Sequence, residues 1–399
     1  MTPDLEVLAQ QWLSELREEL PGAIELRHRL HADPRLSGDE CDTAAAVAQA
    51  IGIEFETVAG CGGWARIGPG EGDAVAVRGE LDALPGTERT GASFAASEGA
   101  VHACGHDVHL AALTALARAA ARVNLPAGLV LLLQPREEKY PSGAEDIARA
   151  GVLTAQGVRV VVGAHVHHDV PRGHVAAGAG PVNAASDELH ITVRGTGGHG
   201  AYPHRAADPV AALAQIALGL PEMVRRTVSP MDPAVISVGS LHIGHGAANV
   251  LPSEGVLLAT LRTMGREDRR LVQEAVRVLV ESTARAYGVS GELTVVAGEP
   301  VLENDPDVVE ASERWLTELG LGIAVPMRSL GSDDFSFYGE QAATLMSFVG
   351  VYERPGHGLP TLHDMEFLPP DDVVEDVARS MMAGYLGAVD VLAARRSAE

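Results

Sequence analysis

The stretch Leu129-Val130-Leu131-Leu132-Leu133-Gln134-Pro135-Arg136-Glu137-Glu138 decides the fold class, because an apolar β-type run ends abruptly in a charged loop. Two runs of the same kind flank it, Ala74–Val77 upstream and Val158–Val162 downstream. A strong helical pattern over 110–122 lies between the first two, and a shorter one around 144–150 between the second and third. Short strands alternating with helices predict an α/β fold, a mostly parallel sheet wrapped by helices. Further upstream, residues 4–31 carry helical periodicity, with Leu5, Leu8, Ala9, Trp12 and Leu13 on one stripe.

From about residue 183 the pattern changes. Over 187–193, Leu189, Ile191 and Val193 alternate with Glu188, His190 and Thr192, as a half-buried strand requires. A helical stretch (208–220), two strands (235–241 and 255–261), a long helix (267–287) and a last strand near 293–296 follow. This β-α-β-β-α-β order is that of the ferredoxin-like sandwich. After Pro300 the alternation of helix and strand resumes. A chain of 399 residues is too long for one core. The economical division is a large α/β domain of residues 1–182 and 299–399, interrupted by a small domain of residues 183–298.

Hydrophobic residues make up 46% and charged residues 21%, a globular profile without eighteen uninterrupted apolar residues, so no membrane span is expected. The acidic, amphipathic start lacks the basic and apolar blocks of a secretory signal, which makes the cytoplasm the default. The net charge of −24 speaks against nucleic-acid binding, which needs a basic footprint. An anionic substrate would need a local cluster of Arg or His working against that field. Arg is abundant while Lys139 is the only lysine, a bias that GC-rich coding explains. Three cysteines, Cys41, Cys61 and Cys104, leave one over from any pairing.

In parallel α/β sheets, ligands gather beyond the carboxyl ends of the strands. Here each such end carries acid–base or metal-type side chains: Glu80 and Asp82 after the first, Glu137 and Glu138 after the second, His165, His167 and His168 after the third. Between the first two sits His102-Ala103-Cys104-Gly105-His106-Asp107-Val108-His109. A single histidine at a strand end is usually structural, whereas three consecutive ends plus this cluster point to a site. Cys104 and His106 are two apart and would face one side in extended backbone, and Gly105 would let the chain approach a metal closely. Glu137 and Glu138, being adjacent, cannot share one job. One can bind metal while the other reaches a water. Two divalent ions about 3.5–4 Å apart need more ligands than one tetrahedral site supplies, and the set is about large enough. A thiolate favours zinc, with manganese, nickel or cobalt also compatible with imidazole and carboxylate.

These motifs resemble the metal-dependent aminoacylase–carboxypeptidase family, in particular the branch of hippurate hydrolase and the plant indole-acetyl-amino-acid hydrolases. The resemblance runs from Leu26-Arg27-His28-Arg29-Leu30-His31 to a block ending near Pro369. Its most specific element is HACGHD (His102 to Asp107). QPxEE (Gln134 to Glu138), GxH (Gly163 to His165), GGHGAxPH (Gly197 to His204), AANVLP (Ala247 to Pro252), GSDDFS (Gly331 to Ser336) and LHxxxF (Leu362 to Phe367) follow. It implies a two-metal catalytic domain and an inserted lid and dimerisation domain. It also implies metal ligands Cys104, His106, Glu138, His165 and His363, with Glu137 as the general base and Asp82 as the carboxylate that orients a ligating histidine. His199 matches a residue that donates to the carbonyl oxygen in the transition state, and Asn249 and Arg262 match substrate-holding positions. The implied activity is hydrolysis of small N-acyl amino acids by a homodimer. A dipeptidase, carboxypeptidase or ureido-acid hydrolase would use the same machinery, and a metal-binding scaffold without catalysis is the rival from another class. His102, His109, His167 and His168 receive no firm role.

The chain departs from the family pattern in three places. Glu80 stands where aspartate is usual, Lys139-Tyr140-Pro141 replaces a glycine-rich stretch, and His167-His168 replaces an aromatic and a proline. Substrate identity therefore does not carry over from any one member.

Overall fold

Four parallel strands, Gly128–Gln134, Ala74–Glu80, Val158–Pro171 and Ala343–Tyr352, form the middle of an eight-stranded sheet in the computed structural model, which describes residues 3–244 and 246–398. Every residue of Ala74–Glu80 and Gly128–Gln134 is buried, as a parallel sheet covered on both faces requires. Gly62–Ile67 and Glu56–Val58 extend one side antiparallel, and His174–Ala176 continues the other. The strand expected to stop at Val162 instead runs on to Pro171, so His165, His167 and His168 lie inside it. Its parallel partner continues alongside, with His165 opposite Phe348. The polar residues that read as a loop are strand residues with a hydrogen-bonding neighbour.

The helices Pro3–Ala32, His106–Ala120 and Val373–Ala398 share one core with this sheet. Trp12 meets Tyr385 edge-on at 5.3 Å and donates from Nε1 to the Leu116 carbonyl at 3.2 Å. By length and composition the helix over Val373–Ser397 could cross a membrane, yet 78% of its most apolar window is buried against the rest of the chain. A core helix has that composition for the same reason a membrane helix does: it is apolar all round.

The chain divides into two compact units, Met1–Gly180 with Glu303–Met327 and Asp334–Glu399, and Pro181–Leu302 with Arg328–Asp333. In the smaller unit four antiparallel strands lie in the order Ala234–Ile243, Glu254–Thr263, Ala185–Arg194, Ser290–Ala297. The helices Pro209–Thr227 and Arg266–Ala286 complete the β-α-β-β-α-β order. Leu189, Ile191 and Val193 bury against Leu213, Ile216 and Leu220 of the first helix and Val272, Val276 and Val280 of the second. Asp208 caps the first helix by accepting from the Val210 amide at 2.9 Å.

Cys41 and Cys61 are joined in a disulfide, and Cys104 is left over, free and buried.

Candidate metal centre

The Cys104–His106 segment is not extended. Gly105, at φ 84°, turns the chain, and the helix begins at His106, earlier than its periodicity suggests. A Cβ on Gly105 would lie 2.4 Å from Val166, so glycine is required by space as well as by φ. His106 therefore sits in a first helical turn, its Nδ1 donating to the Asp82 backbone carbonyl at 2.8 Å. That leaves Nε2 buried without a hydrogen-bond partner and 3.7 Å from Glu137 Oε2. Asp82 is fully buried, accepts from Ser37 Oγ at 2.7 Å and from the Glu138 amide at 2.9 Å, and so orients His106 and Glu138 together.

The loop carrying Glu137 and Glu138 is pinned at both ends by Asp334. One oxygen of that carboxylate accepts from Gln134 Nε2 at 2.7 Å, the other from Ser142 Oγ at 2.7 Å and the Ala144 amide at 3.2 Å. A side chain at Gly143 would meet the Pro135 carbonyl at 1.6 Å, so only glycine lets the loop close this tightly. On the neighbouring strand, His165 donates from Nδ1 to the Val166 carbonyl at 2.7 Å, and its Nε2 lies 3.5 Å from Cys104 Sγ. His363, at φ 69°, is placed by its amide bonding to the Ala103 carbonyl at 2.9 Å. Its Nε2 is 3.4 Å from Glu138 Oε1, an ion-pair distance without hydrogen-bond geometry.

Two donor triads result, Cys104–Glu138–His363 and His106–Glu137–Glu138, each with its ligand atoms within 4.8 Å of one another and with Glu138 in both. The electrostatics suit cations. Burial alone would lower the His106 pKa, but the Asp82 carboxylate 3.5 Å from its Nδ1 and the charges of Glu80 and Glu138 push it up to about 10. Burial, then Glu138 and Glu137, drive the Cys104 thiol well above its ordinary range, so a thiolate there needs a positive ion beside it. His165 is held neutral, chiefly by burial and by His109, the form in which imidazole binds metal. His106 Nε2 and Glu138 Oε1, buried without hydrogen-bond partners beside the Cys104 thiol and the Glu137 carboxylate, fit divalent ions.

A further cluster, Glu80 with His106, His109 and His165, has no sequence signal of its own as a unit. Glu80 binds Arg78, and His109 donates from Nδ1 to Glu80 at 3.1 Å while its Nε2 accepts from the Val166 amide at 2.9 Å. Both imidazole nitrogens are thus spent, so His109 braces the strand that carries His165. Glu80 likewise serves Arg78 and His109. Asp107 is equally structural, taking Arg27 Nε and His31 Nδ1 at 3.0 Å each. His102 is buried, with its pKa pulled down to about 4 mainly by that burial, and His167 and His168 stack at 4.5 Å. Asp334 was part of a quoted motif without a role, and its function becomes visible only through partners some two hundred residues away.

The structure does not place every expected residue in this constellation. His199, Asn249 and Arg262 belong to the smaller unit. His199 is exposed, and its Nδ1 accepts from the Ala201 amide at 3.1 Å, so the neutral ring carries its proton on Nε2. Asn249 is exposed and its carbonyl accepts from the Gly200 amide at 2.8 Å, tying it to the His199 turn. Arg262 is half-buried in the strand Glu254–Thr263, donating from Nη1 to Ser332 Oγ, a neutral acceptor, at 2.8 Å.

The sequence profile of Peptidase family M20/M25/M40 matches residues 76–384. An N-acetylcysteine deacetylase of Bacillus subtilis is 32% identical over 337 residues, 82% of this chain and 88% of that one. Thermostable carboxypeptidase 2 of Saccharolobus solfataricus is 31% identical over 382 residues, 92% of this chain and 95% of that one. Among solved structures, a putative aminohydrolase from methicillin resistant Staphylococcus aureus superposes with a TM-score of 0.88 at 30% identity, covering 94% of this chain and 98% of that one. The Bacillus subtilis YXEP protein, a dinuclear metal binding peptidase from the M20 family, superposes at 0.80 with 28% identity, covering 94% and 99%.

Proposed function

The chain belongs to peptidase family M20/M25/M40 and is a metal-dependent hydrolase, and within that family we propose that it deacylates small N-acyl amino acids at a two-metal centre. The observation that carries this reading is the pair of donor triads sharing Glu138, with His106 Nε2 and Glu138 Oε1 buried without hydrogen-bond partners. Cys104, His106, Glu138, His165 and His363 would hold the ions, zinc being favoured by the thiolate, with manganese, nickel or cobalt as substitutes. When bound, such ions polarise the amide carbonyl and acidify a water.

Glu137 is the general base in this reading. Glu138 is committed by its amide to Asp82 and by its carboxylate to both triads, whereas of these two triads Glu137 joins only the one with His106 and otherwise groups with Asp334, so Glu137 can take the water's proton and pass it to the leaving nitrogen. Asp82 fixes the His106 tautomer through its backbone carbonyl and keeps its own carboxyl ionised. Burial raises that pKa, but the His106 imidazole 3.5 Å from its Oδ1 and the hydrogen bond from the Glu138 amide outweigh burial and lower it. His199 presents an Nε2–H suited to the carbonyl oxygen as negative charge develops there. Arg262, with Asn249, would receive the substrate carboxylate, because its fork matches a planar carboxylate and its guanidinium donates to the neutral Ser332 hydroxyl.

A panel of N-acetyl, N-benzoyl, carbamoyl and dipeptide substrates on metal-loaded protein tests the assignment. Turnover of N-acyl amino acids above all others is the expected result. Preference for dipeptides or carbamoyl amino acids would move the substrate within the family, and no turnover on any member would leave a metal-binding protein without catalysis. The edge strand Ala234–Ile243 leaves Val238 and Leu241 exposed, which supports pairing with a second copy of the chain. Light scattering that stays at the single-chain mass of 41.6 kDa over a wide concentration range would exclude that dimer.

A further inference from the structure

Arg136, the residue before the general base, lies at φ 49°, a left-handed conformation that residues with a Cβ adopt only when their surroundings over-determine it. Here they do. Its amide donates to Glu40 Oε1 at 2.9 Å, and its carbonyl accepts from the Gly143 amide at 3.2 Å. Its guanidinium donates from Nε to the Pro141 carbonyl at 2.9 Å, from Nη1 to the Ala59 carbonyl at 3.0 Å, and from Nη2 to Asp146 at 2.5 Å. Pro141, Gly143 and Asp146 belong to the loop itself or the helix that follows it. Glu40 and Ala59 come from elsewhere, and the disulfide joins their segments: Glu40 immediately precedes Cys41, and Ala59 lies two residues before Cys61. Glu40 is fully buried, whereas Cys41 is exposed and Cys61 half-exposed, so a small thiol can reach the bond.

We propose that Arg136 is a positioning residue whose grip on Glu137 depends on the Cys41–Cys61 disulfide, so that reducing this pair slackens the catalytic base. The inference rests on the reading of Glu137 as general base. The chemistry is exchange with a dithiol: its thiolate attacks one sulfur, the S–S bond breaks, and its second thiol closes the mixed disulfide. Two electrons and two protons pass to Cys41 and Cys61, and the dithiol becomes a disulfide. Accessible disulfides of this kind are the ones that respond to a cell's redox poise. With the bond open, nothing covalent keeps Glu40 and Ala59 together around Arg136. The ligands lie on other supports: Cys104, His106, His165 and His363 outside the loop, and Glu138 tied to Asp82 by its amide. Reduction therefore acts on the base and spares the metal.

The test uses the full metal-loaded chain, treated with dithiothreitol and then desalted anaerobically so that no chelating thiol remains. Denatured thiol titration should rise from one per chain to three. The expected result is faster hydrogen exchange at the amides of residues 136–143 and a fall in kcat of about 10- to 100-fold, the scale of a small misplacement of a catalytic group. KM and bound metal should stay unchanged, and reoxidation should restore kcat. The Cys41→Ser/Cys61→Ser double variant should match the reduced protein and ignore the reductant. Reduction to three thiols with exchange and kcat unaltered overturns the proposal, as does a chain that already titrates three thiols when purified under air. Faster exchange in a protein that turns over no substrate supports the redox link to Arg136 and overturns instead the reading of Glu137.

Discussion

The loop Gln134–Gly143 and the segment Gly197–Arg205 each carry a residue with a proposed catalytic role, Glu137 and His199, and they are built in opposite ways. The first is anchored at both ends by one buried carboxylate, Asp334, and in its middle by Arg136. The second is exposed from Ala201 to Arg205, and turn-forming backbone bonds such as Gly200 N to the Asn249 carbonyl hold it. Ligating groups must keep fixed distances to an ion, which demands rigid support from buried elements. A group that meets a substrate can stay in water until it is used. Preorganisation is concentrated where ions would sit, and adaptability where the substrate would be gripped.

The largest expected effect breaks the rigid side. Glu137→Gln should keep bound metal yet lose at least about 10² in kcat, whereas Glu138→Gln should shed metal on dialysis. Identical behaviour of the two variants would end the division of labour between them. Cys104→Ala belongs with Glu138→Gln: it should lower the metal content of dialysed protein, and unchanged metal with a trappable acyl-enzyme would make Cys104 a nucleophile instead. On the exposed side, Arg262→Ala should abolish the preference for an N-acyl amino acid over its carboxamide. A charged hydrogen bond of about 1.5–3 kcal/mol corresponds to roughly 10- to 150-fold in kcat/KM. A wild type indifferent to the carboxylate would remove Arg262 from the site.

Stripping the metal sharpens the contrast through pH. In the apoprotein the raised His106 pKa stabilises the fold fully below its ordinary value of 6.5, and that contribution is lost as pH rises through about 10. The melting temperature of chelated protein should therefore fall between pH 7 and pH 10 more steeply than that of metal-loaded protein. Parallel curves would show that His106 carries no proton in the empty site. Asp334→Asn should cost about 1–3 kcal/mol by leaving a loop donor without its acceptor, read as a lower melting temperature. Lys139→Gly should have the smallest effect: Lys139 is exposed, and exposed charges contribute roughly 0–1 kcal/mol. A changed substrate preference in that variant would give this only lysine a part in recognition.

Periodicity was enough to find three of the four central strands, the first helix and the β-α-β-β-α-β unit, because Leu189, Ile191 and Val193 bury on one face and Val272, Val276 and Val280 on another, but it located neither the fourth central strand, Ala343–Tyr352, nor the helix Val373–Ala398. It missed the hairpin Glu56–Ile67 and the helix Cys41–Ile51, which are short and flanked by glycine. It also ended the strand Val158–Pro171 at Val162, since polar side chains mask a strand whose backbone is satisfied by a neighbour. The donors of the site were legible as motifs. Apart from Asp82, their supports were not, because Asp334, Glu40 and Arg78 act through partners distant in sequence or through burial, and composition at one position encodes neither.

The sequence by itself determined the α/β class, the inserted unit and the side chains available for metal chemistry, since apolar spacing and residue type are local properties. Only the tertiary structure decided which of them are free to bind. His109 and Glu80 look like ligands in a string of letters, yet their nitrogens and oxygens are consumed by Val166, Arg78 and each other. His106 differs from His109 by three positions on the same helix, and it keeps Nε2 free because Asp82 takes only Nδ1. A ring nitrogen makes one strong bond at a time, and which partner claims it is settled by where the rest of the chain packs.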